Sequence, residues 1–198
     1  MTSLPKESPF RAFTRRYPTV VDRIFIPVKI SQPDPPGEED KFPKLDFNAL
    51  LDTGASKSVI KPETAKTLGL ISTGSAMIKH AGGAEVTKTY LIDLYLPNYV
   101  RFRGLVVYEC SDGVGDFGAI VGMDIIARGD LSITNFENKT LVSFRIPSYK
   151  EHDYVRESIR LQFPGVKPYA NCPCGAKNAL GKPLKFSECH GQLLHTTK

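Results

Sequence analysis

The sequence predicts a mainly β domain, its sheet closed or sandwiched, with short helices and a small cysteine-bearing tail. Three observations predict it. Up to residue 148, short β-branched or alternating runs recur between Gly- and Pro-rich turns. Only two short stretches in that span carry the start and stop signals of a helix. Past residue 148 the chain turns charged, then rich in Cys, Gly and Lys, with few large apolar residues.

A chain of 198 residues allows one sizeable domain and an appendage. Hydrophobic content of 41% and charged content of 24% are ordinary for a globular protein. No run of 18 apolar residues occurs, so no membrane span is expected. The opening "MTSLPKESPFRAFTRRYP" is polar and basic without an apolar segment, so no secretory signal is expected and the location expected is cytoplasmic. The net charge is +5, and residues 149–198, with eight Lys/Arg and four Asp/Glu, hold +4 of it. That density reads as a solvated basic surface, and nucleic acid is not an expected partner.

In order along the chain, residues 1–18 read as an irregular arm. "TVVDRIFIPVKI" (19–30) is β-branched and reads as a strand, with Pro27 marking an edge or kink. "SQPDPPGEED" (31–40) is a loop. In "KLDFNALLD" (44–52), Leu45, Phe47, Ala49 and Leu51 alternate with Asp46, Asn48, Leu50 and Asp52, so Asp52 ends a strand. Residues 61–70 read as a helix, with Pro62 at its first position, Glu63 in its first turn and Gly69 at its stop. Residues 75–96 form a long hairpin tipped by Gly82 and Gly83. Strands follow at 101–109 and 118–122. A short helix over 123–130, with Gly129 past its end, is followed by a hairpin at 131–147 that turns at Glu137–Lys139. "SYKEHDYVRESIRLQFPG" (148–165) is helical up to Pro164.

An acid that ends an apolar run costs free energy unless something uses it. The stretch "ALLDTGA" (49–55) resembles the active-site signature of the retropepsin-like aspartic proteases. "AIVGMDII" (119–126) resembles the second half of that signature, and a glycine-tipped hairpin lies between the two. The resemblance covers about residues 19–148 and is nearest to cellular and bacterial members. It implies a closed β-barrel or sandwich fold and hydrolysis of peptide bonds by a water held between two carboxylates. On that resemblance Asp52 is the catalytic acid. Thr53 bonds across to the opposite loop, Gly54 permits the close turn, and Ala55 leaves room for substrate. Ala81, Gly82, Gly83 and Ala84 form the flap tip over bound peptide. No cofactor is expected for catalysis.

Asp-Thr/Ser-Gly occurs once, so the second carboxylate is expected from a second copy of the chain, in a homodimer acting on a polypeptide substrate. Residues 19–26 and 140–147 are the candidate strands for holding such a dimer. Ser56 and Met123 stand where retroviral members carry a paired acid and arginine, so Asp124 is the candidate anchor, toward a backbone group or Arg128. A dimeric module that binds peptides without cutting them is the alternative reading. "GVGDFG" (113–118) fits a glycine-rich nucleotide fingerprint in letters only, because a strand and not a helix follows it.

In the tail, Cys172, Cys174, Cys189 and His190 form a donor set of the right softness for zinc. Their spelling, "CPCG" followed by "CHG", resembles the SEC-C motif, a small zinc knuckle. Ala176 stands in place of the motif's usual serine, and the loop near 177–184 is longer. The expectation is a structural Zn²⁺, with His195 as the substitute ligand for His190 and a protein partner recruited through the knuckle. The expected division is therefore an arm (1–18), a protease-like domain (19–148), a helical linker (149–170) and a zinc-binding tail (171–198).

Overall fold

The computed structural model describes residues 1–3, 8–80, 83–110 and 115–194. Ala81, Gly82 and His195 lie outside the described residues. The chain divides into two compact units, Met1–Tyr149 and Lys150–Lys198.

The first unit is mainly β, with two sheets. The seven-stranded sheet has the order β3 (Phe25–Ser31), β4 (Leu45–Leu51), β9 (Ala119–Val121), β5 (Val59–Ile60), β8 (Arg101–Glu109), β7 (Gly83–Tyr95), β6 (Gly74–His80). An added pairing of β3 with β7 over Lys29–Ser31 closes the circuit of pairings. Its inward side chains pack one core, in which Ile26, Ile30, Ile60, Ile92, Val107 and Ile125 are fully buried. Each such side chain contributes roughly 1.5–3 kcal/mol by leaving water. Pro27 sits where β3 has β4 alone beside it, which a residue without an N–H tolerates.

β9 lies parallel to β4, with Ala49, Leu50 and Leu51 opposite Ala119, Ile120 and Val121. This pairing sets the end of β4 beside the end of β9. Helix α1 (Pro62–Thr67) starts on Pro62 and ends on Gly69, whose φ is +62°. The Gly69 and Leu70 N–H groups close back on Lys66 and Ala65 carbonyls, satisfying the helix end.

The arm expected over residues 1–18 is partly strand. β2 (Arg11–Arg16) lies between β1 (Thr2–Ser3) and β11 (Leu141–Ile146), and β10 (Asp130–Thr134) completes a four-stranded sheet. Phe13 is buried against Phe144, its partner in register, with ring centroids 5.9 Å apart. The Asn98 amide donates to the Arg11 carbonyl at 2.9 Å. One inward apolar side chain among arginines gave little periodic signal.

The strands proposed to hold a dimer also need correcting. Only Phe25 and Ile26 of residues 19–26 are strand, and both pair with β4. β11 has β2 on one side and β10 on the other, so it offers no free edge.

α2 (Met123–Ile126) is a single turn, shorter than the helix expected before Gly129. Gly129 is needed for closeness, not for its helix stop: a Cβ there would stand 2.0 Å from the Arg145 carbonyl oxygen. Gly129→Ala is therefore expected to destabilise the first unit by about 3 kcal/mol, read as a lower melting temperature. An unchanged melt would mean that β10 and β11 are not held this tightly.

The Pro-rich loop is fastened by charge. Asp34 accepts from the Asp40 and Lys41 N–H groups at 2.7 and 3.0 Å, and Arg101 bridges Asp34 and Asp93 at 2.5 and 2.6 Å. Burial opposes the Arg101 charge, but the bonds to Asp93 and Asp34 outweigh it and raise its pKa.

In the second unit, α3 (Tyr154–Gln162) begins on Asp153, whose carboxylate accepts from the Val155 and Arg156 N–H groups at 3.0 and 3.1 Å. Residues 149–170 read as a linker from sequence, yet α3 shares a small core with the tail. Ile159, Cys172 and Phe186 are buried together, with Phe163, Val166 and Leu194 against them. The longer loop near 177–184 is a tight turn on Asn178, whose side-chain oxygen accepts from the Leu180 and Lys182 N–H groups, with Gly181 at φ +74°. Among the described residues, no helix is long and apolar enough to cross a membrane.

Candidate functional site

Asp52 follows β4 directly. Its N–H donates to the Val121 carbonyl at 3.1 Å, extending the β4–β9 pairing by one step. Its carboxylate Oδ1 accepts from the Gly54 N–H at 2.8 Å, a turn that fixes the acid relative to its own loop. Asp52 is half-buried, whereas Thr53 and Gly54 are exposed. Ala55, half-buried, is tied to the far side of the site: its carbonyl accepts from the Met123 N–H at 2.8 Å.

What holds this loop is a pair that sequence reasoning half missed. Asp124 accepts from the Ser58 N–H at 3.0 Å and from the Ser58 hydroxyl at 2.7 Å. The Ser58 hydroxyl in turn accepts from the Gly122 N–H at 3.1 Å. Ser58 is only 1% exposed, so these bonds are made away from water. Asp124 thus anchors the loop through a backbone N–H and a hydroxyl. Arg128 bonds the Asp124 carbonyl instead. Gly122 has no room for a side chain, since a Cβ would lie 2.7 Å from the Lys57 carbonyl and 2.8 Å from that of Ala55. Ser58→Ala keeps the backbone N–H to Asp124 but unpairs one Asp124 oxygen and the Gly122 N–H, and is expected to cost about 1–3 kcal/mol and, by loosening the Asp52 loop, about 10-fold or more in activity. Paired melting and kinetic measurements check both. Undiminished activity would mean that the loop is held by other contacts.

The hairpin of β6 and β7 brings Gly83, at φ +128°, and Ala84 to an exposed end. Met77 and Val86 are partners in register, and each is 69% exposed. The base of the hairpin is fixed. Tyr90 donates to the Glu109 carboxylate at 2.6 Å, and burial followed by that bond pushes the Tyr90 pKa up to about 12.

In the second unit the four tail donors come together, all within 4.8 Å of one another. The Cys174 sulfur is 3.3 Å from that of Cys172 and 3.6 Å from that of Cys189. His190 Nδ1 is 3.3 Å from Cys172 and 3.4 Å from Cys189. A tetrahedral Zn²⁺ with ordinary bond lengths sets its ligand atoms about 3.5–3.8 Å apart, so the four donors fit the ion with small adjustments. Phe163, directly after α3, packs on the His190 ring with centroids 4.8 Å apart, which orients it. Burial opposes ionisation of Cys172, but N–H bonds from the Cys174 and His190 backbones, with side-chain bonds, bring its pKa down to about 6. Burial and the neighbouring thiols push Cys189 up to about 11.

Ser58, the Tyr90–Glu109 pair and Phe163 were not legible as site residues. Each acts through a partner distant in sequence, and none belongs to a local motif.

A family model described as aspartyl protease matches residues 39–125, somewhat under half of the chain. No curated protein matches. Among solved structures, a retropepsin-like aspartic protease from Rickettsia conorii is 14% identical, covering 69% of this chain and 94% of its own, with a TM-score of 0.41. The EIAV protease, solved with an inhibitor, is 19% identical over 54% of this chain and 86% of its own, with a TM-score of 0.42. The retroviral protease-like domain of Ddi1 from Leishmania major is 21% identical over 57% of this chain and 79% of its own, with a TM-score of 0.34.

Proposed function

We propose that this chain is one half of an aspartic endopeptidase, in which the Asp52 carboxylates of two copies face each other across a water molecule. The observation that carries the reading is the placement of Asp52. It sits at the mouth of two parallel strands, with its carboxylate fixed by Gly54 and its loop fixed by Ser58 and Asp124. The match of residues 39–125 to the aspartyl protease family supports it.

Two carboxylates that close cannot both ionise, so they share one proton. The ionised member takes a proton from the water as the water attacks the peptide carbonyl. The protonated member donates to the developing oxyanion; as the intermediate collapses that proton returns to it, and the proton taken from the water passes to the leaving amine. The exposed Thr53 and Gly54 are the surface on which two such loops would meet. The dimer needs a surface other than β11, whose edges are both used. Gly83 and Ala84 would lie over bound peptide.

The tail reading is a structural Zn²⁺ on Cys172, Cys174, Cys189 and His190, with the second unit recruiting substrate or a protein partner. All four positions being filled by protein, the ion supplies folding energy and no open site for chemistry. A cytoplasmic setting, where thiols stay reduced, is the compartment this reading takes. Incubation with a peptide library over a range of pH, with new termini read by mass spectrometry, tests the whole. No cleavage at any pH would end the proteolytic reading.

A further inference from the structure

We propose that α3 pairs antiparallel with α3 of a second copy of this chain, so that the second unit helps to bring two Asp52 loops together. The contact is a property of α3 itself; only its effect on hydrolysis rests on the two-chain reading.

α3 has two faces that carry apolar side chains. One turns Ile159 into the small core with Cys172 and Phe186. Residues 154, 155, 158, 161 and 162 make the other, within roughly 120° of arc at about 100° per residue. A helix packed on one side ordinarily gives its remaining surface to polar residues. Here Tyr154, Val155 and Leu161 hold that surface, 60%, 55% and 75% exposed. Ser158 and Gln162, also exposed, complete it.

The occupant follows from the way this face mirrors itself about Ser158. The spacing of 154, 158 and 161 is the four-then-three step of a seam between helices. Turned end for end about a two-fold axis at Ser158, the helix sets Tyr154 against Leu161 of the other copy, and Val155 beside its Gln162. The serine, the smallest side chain of the face, falls on the axis and lets the two backbones approach. Glu157 and Arg160 are exposed and flank the face on one side. The two-fold axis keeps that flank on the same side in both copies. Each Glu157 then lies one residue's rise, about 1.5 Å along the axis, from Arg160 of the other copy. Two opposite-charge pairs result. The antiparallel sense also sets each helix N-terminus beside the other's C-terminus, where the dipoles attract. A parallel pair would set Glu157 against Glu157 and Arg160 against Arg160.

The nine residues of α3 cover less than the roughly 800 Å² per partner of a stable interface. The contact therefore acts together with the Asp52 loops, by holding two first units at high effective concentration.

Sedimentation of the zinc-loaded full chain over a range of concentrations reads the dimer, and hydrolysis at the same concentrations reads the centre. Leu161→Glu is expected to raise the dimer dissociation constant about 10-fold or more. Glu157→Arg or Arg160→Glu alone sets like charges together and is expected to raise it about 5-fold at low salt; the two combined should restore it. Specific activity of the weakened variants should fall at low protein concentration and recover at high, because the Asp52 loop is untouched. Zinc content and melting temperature should stay unchanged, which separates loss of the contact from loss of the fold. A dissociation constant unmoved by Leu161→Glu overturns the inference, whether or not peptides are cut. So does a double charge reversal no tighter than either single one, or a chain monomeric at every concentration. A dimer that responds as described yet cuts no peptide would end the proteolytic reading and leave this inference standing.

Discussion

Asp52→Asn is expected to lower peptide hydrolysis by about 10⁴-fold while leaving the fold in place. Asparagine has nearly the shape of aspartate, and its side-chain oxygen can still accept from the Gly54 N–H that now holds Oδ1. The Ser58–Asp124 bonds that fix the loop do not involve residue 52. What the amide cannot do is take a proton from water, and it cannot share one with a facing carboxylate. The loss should therefore fall on kcat, with KM little changed, and stability should move by no more than about 0.5 kcal/mol. Cleavage persisting near the original rate would show that another group is the acid. Cleavage lost together with the fold would leave Asp52 a structural residue.

Removal of zinc is expected to unfold the second unit and leave the first intact. The core of the second unit is three buried side chains and a few half-buried ones, too little to stand alone at that size. Three thiols lie within 3.6 Å of a neighbour, and without a cation only weak sulfur hydrogen bonds join them in place of metal bonds. Structural zinc at such a site supplies on the order of 10 kcal/mol, more than this core can replace. Chelation, or Cys172→Ser, should release about one zinc per chain. The α3 signal in far-ultraviolet circular dichroism should fall, and residues 150–194 should become open to proteolysis. Acid should release the metal as well, because protons compete for the thiolates and for His190. Metal content unchanged by Cys172→Ser would remove the knuckle.

How much of this was readable from sequence depends on how local the physics is. The end of β4 was legible because alternation and a turn carry it, and α1 because its start and stop are local residue choices. The four tail donors were legible because zinc chemistry restricts residue type. β2 was not, because its one inward side chain, Phe13, is recognised only by Phe144, far along the chain. Gly129 was assigned the wrong reason, since a close approach by the Arg145 carbonyl leaves no trace in neighbouring letters. Ser58 looks like any loop serine until Asp124 is placed beside it. α3 looked like a linker because its packing on His190 runs through Phe163, a contact that composition does not record.

Subunit mixing tests the two-chain centre most directly. Wild-type chains are mixed and equilibrated with increasing proportions of Asp52→Asn chains at constant total concentration, and hydrolysis is measured. If each centre needs one Asp52 from each of two chains, activity follows the square of the wild-type fraction, about a quarter at an equal mixture. Activity that falls only in proportion to the wild-type fraction would contradict the account, because each chain would then be working alone.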